Sequence, residues 1–467
     1  MPNNSSEIRL AFDDGTLVLL DAPKDDEPPS SFVWDSRVDR WRAQAHRYRD
    51  VVEAFHAQES KFKNVTPRYN RLKLNFNREH DPHPHQAEAF DAWRSNEHRG
   101  VVVLPTGSGK SLLALMAIAE VNRSTLIVAP TIDLMNQWYD LLKEAFSCKV
   151  GILGGGYHEL EDLTVTTYDS AYMHMGRYGN RFGFLVFDEV HHLPGESYSH
   201  GAELAIAPYR LGLTATLERP DGRHLMLRDL VGPTVYEKGI RDLSGDYLSD
   251  YNTERIDVDM VAEEREQYDA ARAEFTAFLD AKNLKLGGKY GWQNFVRLSS
   301  RSSDGRRAML AYRRYRKIAL GTAAKLRVLE DLLKKHPRDR MLIFTNDNET
   351  VYTISQQFLI PAITHQTRTK ERRDILKAFN QGDILALVTS RVLNEGVNVP
   401  EANVAVVLSG TGTIREHVQR LGRILRQREG KHATLYEVIS RNTVEDSISR
   451  RRRQHDAYDG TTQKEIF

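Results

Sequence analysis

Residues 184–193, FLVFDEVHHL, place four apolar residues directly before two carboxylates, a valine and two histidines. Many buried strands end in polar residues where they reach the surface of the core. This stretch alone is therefore also compatible with an ordinary strand end that has no function. The functional interpretation is a buried strand that delivers Asp188 and Glu189 to a reaction site. Other parts of the chain must distinguish the ordinary strand end from the reaction site.

A second stretch, residues 101–111, reads VVVLPTGSGKS and predicts a strand, a tight glycine-rich turn and the start of a helix. The backbone amides of such a turn can surround a phosphate chain, and the helix N-terminus favours negative charge. Lys110 would then reach the β- and γ-phosphates of ATP, and Ser111 would ligate Mg²⁺. Leu104 stands where the GxxxxGK[ST] pattern has its first glycine, and a glycine-rich surface turn is the structural alternative. The residues predicted to bind the nucleotide here are Thr106, Gly107, Ser108, Gly109, Lys110 and Ser111.

A phosphate-binding loop of this kind needs a second strand end that brings a carboxylate to the metal ion, and FLVFDE supplies one. Asp188 is therefore predicted to ligate Mg²⁺ together with Ser111, and Glu189 to act as the general base that polarises the attacking water. A positioned general base contributes roughly 10²- to 10⁴-fold to a rate. His191 is predicted to report the nucleotide state to its neighbours, whereas the chemistry of His192 indicates no role.

These residues must be held by regular elements, and from about residue 84 apolar runs bounded by turns alternate with helical stretches. Two series of such runs predict an α/β fold with two parallel sheets, each covered by helices on both faces. The runs are GVVVLP, TLIVAP, LTVTTY, FGFLVFDE and YRLGLTAT, then RMLIFT, LIPAIT, ILALVTS, NVAVVLSG and ATLYEVIS.

Two segments lie outside these series. Residues 7–20 predict two short strands, and the later stretch WDSRVDRWRAQAHRYRDVVEAF predicts a turn followed by a helix. Residues 262–320 predict helices that interrupt the strand alternation. We therefore predict a small α/β domain at 1–76 and two larger domains at 77–245 and 246–467, the last with 262–320 as an insertion.

The composition excludes several classes of protein. Of 467 residues, 40% are hydrophobic and 28% charged, and the net charge is +1, so the chain folds and carries no overall basic field. Cys148 is the single cysteine, which excludes intrachain disulfides and metal sites built from several cysteines. The N-terminus has no signal-peptide pattern and no apolar run reaches membrane length, so we predict an intracellular protein without membrane association.

The motifs together resemble those of superfamily 2 helicases, in order and spacing, from residue 84 to 440. PTGSGKS resembles motif I, DEVH motif II, LGLTATL motif III, MLIFTND motif IV, VTSRVLNEGVNVP motif V and VQRLGRILR motif VI. TLIVAPTIDLMNQW resembles motif Ia, and TVTTYDS a motif on the nucleic-acid side of the first domain. The resemblance implies two RecA-like domains, ATP and Mg²⁺ as cofactors, and coupling of ATP to DNA through Thr214 and Thr216. Gln86, just upstream of motif I, matches the position that reads adenine.

The motif VI segment has a physical interpretation of its own. Gln419, Arg423 and Arg426 recur every three or four residues, on one face of a predicted helix. Two arginines from the second domain can meet the γ-phosphate bound by the first, and such an arginine raises a rate roughly a thousand-fold or more. We predict catalytic roles for all three residues. Gly422, which has no side chain, allows this helix to approach the nucleotide closely. The alternative is a basic stripe on the protein surface.

Several stretches narrow the resemblance to XPB-type repair helicases in their short archaeal form. DEVHHLP, LGLTATLERPDGRH, LIPAITHQT and QRLGRILR resemble that family, and WDSRVDRWRAQAHRYRD resembles its damage-recognition domain. The family implies ATP-driven DNA opening with 3′ to 5′ polarity in nucleotide excision repair. Its Arg-Glu-Asp element is matched by Arg219 and Asp221, which we predict to contact DNA. Pro220 replaces the glutamate, which removes a carboxylate and stiffens the backbone.

The family also has a thumb-like helical insertion, and residues 262–320 fit its place. Between residues 297 and 317 eight basic residues stand with Asp304 as the single acid, and Tyr312 and Tyr315 lie among them. A solvated helix face is the ordinary explanation of such a run, but clustering in a near-neutral chain favours a surface that tracks phosphates. The predicted DNA contacts in this insertion are Arg297, Arg301, Arg313, Arg314 and Arg316.

Rival functions stay open at this point. A double-stranded DNA translocase without unwinding carries the same motifs, and Pro220 gives it weight; an RNA helicase is a third option. A non-catalytic scaffold that binds damage and recruits a nuclease would have a degraded ATP site, whereas Lys110, Asp188 and Glu189 are present. The predicted partner is forked, bubble or damaged DNA, with a structure-specific nuclease as a further partner. We predict a monomer when free, in a cytoplasmic, nucleoid-associated location.

Overall fold

A computed structural model of the chain shows two compact units, the first ending at Asp242 and the second beginning at Leu243. The residues it describes are 8–58, 62–77, 81–219, 221–243, 251–286, 290–390, 402–409, 433–446, 449 and 462–465. Across these ranges no helix combines the length and the apolar character needed to cross a membrane.

The first unit opens with a small sheet and one helix. The elements are β1 (Ile8–Asp13), β2 (Thr16–Leu20), β3 (Val33–Asp35), β4 (Arg40–Gln44), α1 (Tyr48–Ala57) and β5 (Phe62–Asn64). The sheet order is β3-β4-β2-β1-β5, antiparallel except for the parallel pair of β1 and β5. Leu10, Leu17 and Leu19 of the sheet form a core with Val51 and Phe55 of α1. The predicted hairpin and helix are confirmed.

Strands β3 and β4 correct the prediction of a turn over WDSRVDRWRAQ. Trp34 and Trp41 lie opposite each other in the antiparallel register, with ring centroids 5.5 Å apart in an edge-to-face arrangement. Cross-strand aromatic pairs of this kind stabilise a hairpin. The arginines and aspartates between the two tryptophans gave the stretch the composition of a turn, which is why the strands were missed.

A second, larger sheet occupies the rest of the first unit. Its strands are β6 (Arg99–Val103), β7 (Thr125–Ala129), β8 (Val150–Gly154), β9 (Tyr157–His158), β10 (Leu163–Thr167), β11 (Phe184–Asp188), β12 (Tyr209–Thr214) and β13 (Thr234–Glu237). Its helices are α2 (Pro84–Ser95), α3 (Lys110–Val121), α4 (Ile132–Phe146), α5 (Tyr168–Tyr178), α6 (His200–Glu203), α7 (Leu227–Leu230) and α8 (Ile240–Leu243). The order is β13-β6-β12-β11-β7-β10-β8-β9, and all pairs are parallel except β8 with β9. The five predicted strands are confirmed; β8, β9 and β13 were not predicted.

The strand order decides which residues can meet. Strands β6, β12, β11 and β7 are neighbours in the middle of the sheet and run parallel. Their carboxyl ends therefore share one edge, where open α/β sheets bind their ligands. The PTGSGK turn follows β6, Thr214 ends β12 and Asp188 ends β11, so three sequence motifs converge at this edge.

The second unit contains a seven-stranded parallel sheet. Its strands are β14 (Tyr251–Val258), β15 (Met341–Phe344), β16 (Ala362–Ile363), β17 (Ala386–Thr389), β18 (Val404–Val407), β19 (Ala433–Ser440) and β20 (Thr462–Glu465), in the order β16-β17-β15-β18-β19-β14-β20. Its helices are α9 (Ala262–Ala281), α10 (Gly291–Ser299), α11 (Ser303–Leu320), α12 (Ala323–Lys335), α13 (Asn348–Phe358) and α14 (Thr369–Gln381). The second predicted series of strands is confirmed, and β14 and β20 add to it.

Helices α9, α10 and α11 form the predicted helical insertion between β14 and β15, two strands of one sheet. They have a hydrophobic core of their own, in which Tyr268, Phe275, Phe295 and Tyr315 are buried. Tyr315 therefore belongs to the core of the insertion, which corrects the view of this ring as part of the basic surface. Its position on α11 faces α9, since Tyr315 and Phe275 have ring centroids 5.6 Å apart.

Candidate nucleotide-binding and catalytic site

The loop between β6 and α3 is glycine-rich and closes on itself. Gly107 and Gly109 have φ of +88° and +83°, a left-handed conformation that glycine adopts without a Cβ clash. Lys110 Nζ donates to the carbonyl oxygens of Leu104 at 2.9 Å and Pro105 at 3.1 Å. Alternation of left-handed and right-handed residues turns backbone amides toward a common concavity, which is a geometry that binds anions.

Helix α2 contacts this loop through two adjacent side chains. Gln86 Nε2 donates to the Ser108 carbonyl at 2.8 Å, and Gln86 Oε1 accepts from the His83 amide at 2.9 Å. The buried imidazole of His85 donates from Nε2 to the same Ser108 oxygen at 2.9 Å, and burial lowers the pKa of His85. A Cβ on Gly109 would lie 2.0 Å from Gln86 Nε2. The predicted adenine reader is therefore in direct contact with the predicted phosphate-binding loop.

Asp188 ends a strand of five buried residues, as the sequence predicted. Its Oδ1 accepts from the Glu189 amide at 3.0 Å, and its Oδ2 accepts from Trp138 Nε1 at 2.9 Å. Burial, followed by the charge of Glu189, raises the pKa of Asp188, and the Trp138 bond and the charge of Lys110 act in the opposite direction. A buried carboxylate whose charge is only partly balanced is suited to receive a cation.

Glu189 follows in a left-handed backbone conformation, with φ of 47° and ψ of 54°. For a residue with a Cβ this costs about 1–2 kcal/mol, and strain of this kind concentrates at functional sites. The Glu189 side chain is 14% exposed, and its Oε2 lies 3.4 Å from His191 Nδ1 and 3.5 Å from Thr214 Oγ1. The turn after β11 thus directs the carboxylate toward the end of β12.

Thr214 links the two motifs at that point. Its hydroxyl lies 3.0 Å from Nδ1 of His191, whose side chain is 1% exposed, and donates to the Thr216 carbonyl at 2.8 Å. The Thr216 amide donates back to the same hydroxyl at 3.2 Å. The three residues predicted to couple ATP to DNA therefore share one hydrogen-bonded group with Glu189.

Arg219 extends this group toward the surface. Its Nη1 donates to the His191 carbonyl at 2.7 Å, and its Nε and Nη2 form a bidentate pair with the Asp221 carboxylate at 3.0 and 2.7 Å. The sequence predicted Arg219 and Asp221 as DNA contacts, and this role stays a prediction. The structure adds a direct bond from Arg219 to the backbone of the DEVH motif.

The donor set fits a nucleotide with Mg²⁺. The Thr106 hydroxyl is buried in the loop and has no hydrogen-bond partner among the described residues, so a polar ligand would satisfy it. Mg²⁺ usually takes one or two protein oxygens together with substrate phosphates and water, and Ser111 and Asp188 offer a hydroxyl and a carboxylate. Within the described ranges, no group of three or more His, Cys, Asp or Glu side chains could hold a metal ion.

The predicted DNA contacts of the insertion differ in exposure. Arg297 and Arg301 are exposed, as are Arg313 and Arg314 on α11. Arg316 is half-buried, because Nη1 donates to the Tyr312 hydroxyl at 2.8 Å and the guanidinium lies over that ring. Four of the five arginines are thus accessible, and the fifth is engaged within the insertion.

Five residues with a predicted role or consequence lie outside the described residues. They are Gln419, Gly422, Arg423 and Arg426 of the motif VI segment, and Pro220 between Arg219 and Asp221. Two residues of the site were missed by sequence reasoning. His85 could have been found from its place beside Gln86 at a helix start, whereas Trp138 is one of several apolar residues in an amphipathic helix.

The fold matches that of known helicases. The solved helicase domain of Hef from Pyrococcus furiosus aligns with a TM-score of 0.54 over 79% of this chain and 98% of that one, at 18% identity. Residues 79–219 match the family described as the type III restriction enzyme res subunit, and residues 324–428 match the helicase conserved C-terminal domain. Two RecA-like parallel-sheet domains with these motifs define a superfamily 2 helicase, and the predicted fold class is confirmed.

More specific matches define the family. Residues 10–64 match the xeroderma pigmentosum group B helicase damage recognition domain. The DNA 3′-5′ translocase XPB2 of Sulfurisphaera tokodaii is 40% identical over 428 residues, which cover 90% of this chain and 95% of that protein. The DNA 3′-5′ helicase XPB of Mycobacterium tuberculosis is 31% identical over 77% of this chain and 61% of that protein. The chain belongs to the XPB family of superfamily 2 DNA helicases.

Proposed function

We propose that this chain is a DNA-dependent ATPase that moves along DNA with 3′ to 5′ polarity and opens it for nucleotide excision repair. The observation that carries the proposal is the convergence of Lys110, Asp188, Glu189 and Thr214 at neighbouring strand ends of one parallel sheet. Phosphoryl transfer depends mainly on positioning and charge stabilisation, and these side chains supply both. Relatives named as DNA translocases and helicases support DNA as the track.

ATP binds along the carboxyl edge of the first large sheet. Gln86 reads the adenine, and the amides of the 106–110 loop hold the phosphates. Lys110 exchanges the carbonyl oxygens of Leu104 and Pro105 for the β- and γ-phosphates, a charge-assisted contact that is stronger than a bond to a neutral carbonyl. Because Gln86 bonds the Ser108 carbonyl, base recognition and loop conformation depend on each other.

Ser111 and Asp188 would hold Mg²⁺. The ion, when bound, would neutralise charge on the transferring phosphoryl group. Glu189, whose backbone is left-handed, polarises the attacking water. His191 Nδ1 and Thr214 Oγ1 lie 3.4 and 3.5 Å from Glu189 Oε2 and sense the state of this carboxylate. Arg219 carries that contact to the element that ends at Asp221 through its bond to the His191 carbonyl.

DNA contacts are proposed separately for Arg219 and Asp221 of the first domain and for the insertion. The exposed arginines Arg297, Arg301, Arg313 and Arg314 bind phosphates, which gives affinity without sequence preference. Forked, bubble or damaged DNA is the substrate, and a structure-specific nuclease acts beside the protein in a nucleoid-associated location. The catalytic roles predicted for Gln419, Arg423 and Arg426 belong to the same proposal.

A double-stranded DNA translocase without unwinding is the second candidate. Pro220 in place of a glutamate favours it, as does the name of the most completely covered relative described above, a DNA 3′-5′ translocase. Strand displacement from forked duplex, measured beside displacement of a third strand from a triplex, separates the two. Activity on both substrates supports the helicase, and activity on the triplex alone supports the translocase.

A third candidate, a non-catalytic scaffold, predicts no turnover on any nucleic acid. ATPase activity measured with forked, bubble and single-stranded DNA, and with RNA of matched length, tests it together with the RNA-helicase alternative. We expect stimulation by DNA that exceeds stimulation by RNA. Turnover that no DNA stimulates would contradict the proposed function.

A further inference from the structure

The indole of Trp138 forms a hydrogen bond that the catalytic assignments above leave unexplained. Trp138 lies on α4, its side chain is 3% exposed, and its Nε1 donates to Asp188 Oδ2 at 2.9 Å. Indole has one donor and no acceptor, so this bond accounts for its entire hydrogen-bonding capacity. A hydrogen bond to a carboxylate is roughly twice as strong as one to a neutral oxygen. This bond therefore acts on the position of the carboxylate as well as giving the buried N–H a partner.

The two oxygens of Asp188 are held from two separate elements. Oδ1 accepts from the Glu189 amide, which belongs to the same strand end, and Oδ2 accepts from Trp138 on α4. Two donors on opposite oxygens fix the rotation of a carboxylate about its terminal torsion, which is otherwise broad. Each oxygen keeps a second lone pair for a cation or its water.

We propose that Trp138 is a positioning residue that fixes the Asp188 carboxylate in the orientation required for Mg²⁺. This inference rests on the proposed role of Asp188 as metal ligand. Hydrogen-bonding partners behind a metal ligand typically change metal affinity or activity by about 10- to 100-fold when removed. Trp138 does not touch nucleotide, metal or water in this proposal and acts only through Asp188.

Trp138→Phe tests the proposal, because it keeps an aromatic ring and removes the N–H. The full chain is titrated with Mg²⁺ in the presence of a fluorescent, non-hydrolysable ATP analogue. The readout is the free Mg²⁺ concentration at which binding of the analogue is half-maximal. We expect this concentration to rise about ten-fold, the lower end of the range for such partners. Trp93→Phe is the matched control, since Trp93 is 0% exposed and its Nε1 donates to the Arg210 carbonyl at 3.0 Å. This control should keep the wild-type Mg²⁺ requirement.

A wild-type Mg²⁺ requirement in Trp138→Phe would overturn the inference. Asp188→Asn, measured in the same way, distinguishes this failure from failure of the proposed function. An unchanged Mg²⁺ requirement in Asp188→Asn would remove Asp188 itself from the metal site.

A second readout needs no substitution at Trp138. The chain has five tryptophans, and the indole N–H resonance of Trp138 should shift on addition of Mg²⁺ and nucleotide while that of Trp93 stays in place. A Trp138 resonance that does not move would also contradict the inference.

Discussion

Replacing Gly109 with alanine should weaken nucleotide binding, because two features of the phosphate-binding loop exclude a side chain there. Gly109 has φ of +83°, a conformation that costs an L-residue about 1–2 kcal/mol. A Cβ would also lie 2.0 Å from Nε2 of Gln86, so the Gln86 amide would have to move and give up its bond to the Ser108 carbonyl. In the variant the empty loop can leave this conformation, so nucleotide binding must restore it, and the backbone cost then corresponds to about 5- to 30-fold in affinity, since about 1.4 kcal/mol is ten-fold.

Equilibrium titration with a fluorescent ATP analogue measures this loss. In a Gln86→Ala background the steric conflict is gone, so Gly109→Ala should there cost only the backbone part of about 5- to 30-fold. Gly156→Ala is a matched control, because Gly156 has φ of +92° and a Cβ on it would meet nothing within 4 Å. Nucleotide affinity in this control should equal that of the wild type. Unchanged affinity in Gly109→Ala would refute the loop geometry as the phosphate-binding form.

Three further predictions concern other parts of the molecule. Neutralising Arg313 and Arg314 together should lower the slope of log DNA affinity against log salt by about 1.4 to 1.8, since each lost phosphate contact removes about 0.7 to 0.9; an unaltered slope in a forked-DNA salt series would mark them as solvated surface. Arg219→Gln should reduce DNA-stimulated turnover more than DNA affinity, because its guanidinium bonds the backbone of His191 in addition to its predicted DNA contact; equal losses would show that Arg219 acts through the DNA contact alone. Burial, followed by the charge of Arg210, lowers the pKa of His46 to about 4, below the unfolded value of about 6.5. The stability from this group is therefore present above pH 6.5 and lost as pH falls toward 4, by roughly 2 kcal/mol at pH 5; guanidinium unfolding at pH 5 and 7.5 should show a smaller pH dependence in His46→Gln, and equal dependence would contradict it.

The positions of the proposed catalytic residues on the loop and strand ends could be predicted because local sequence determines their setting. Glycines at 107 and 109 permit left-handed backbone between a strand and a helix, and the apolar run before Asp188 indicates a buried strand. In a parallel sheet such ends converge at one edge, so the meeting of Lys110 and Asp188 at that edge follows from motif order. The assignment of Glu189 as the general base is a prediction, which the ATP turnover of a Glu189 variant tests.

Contacts that depend on tertiary packing could not be predicted in this way. Trp138 precedes Asp188 by fifty positions, and its helix has the ordinary apolar periodicity of a core-facing element. Tyr315 stands between arginines in the sequence, yet α11 turns it into the core of the insertion. Periodicity identifies the buried face of a helix only when neighbouring polar residues leave a clear stripe, and the density of arginines on α11 obscured it.

Steady-state ATP hydrolysis by Glu189→Gln, with nucleotide affinity determined in the same preparation, tests the central claim most directly. Glu196→Gln serves as the control, because that carboxylate is 84% exposed and pairs with Arg223 on the surface of the same domain. We expect DNA-stimulated turnover to fall by about 10²- to 10⁴-fold in Glu189→Gln, with nucleotide and DNA affinity close to wild type, and to be unchanged in the control. Turnover near the wild-type rate in Glu189→Gln would contradict the assignment of this carboxylate as the general base.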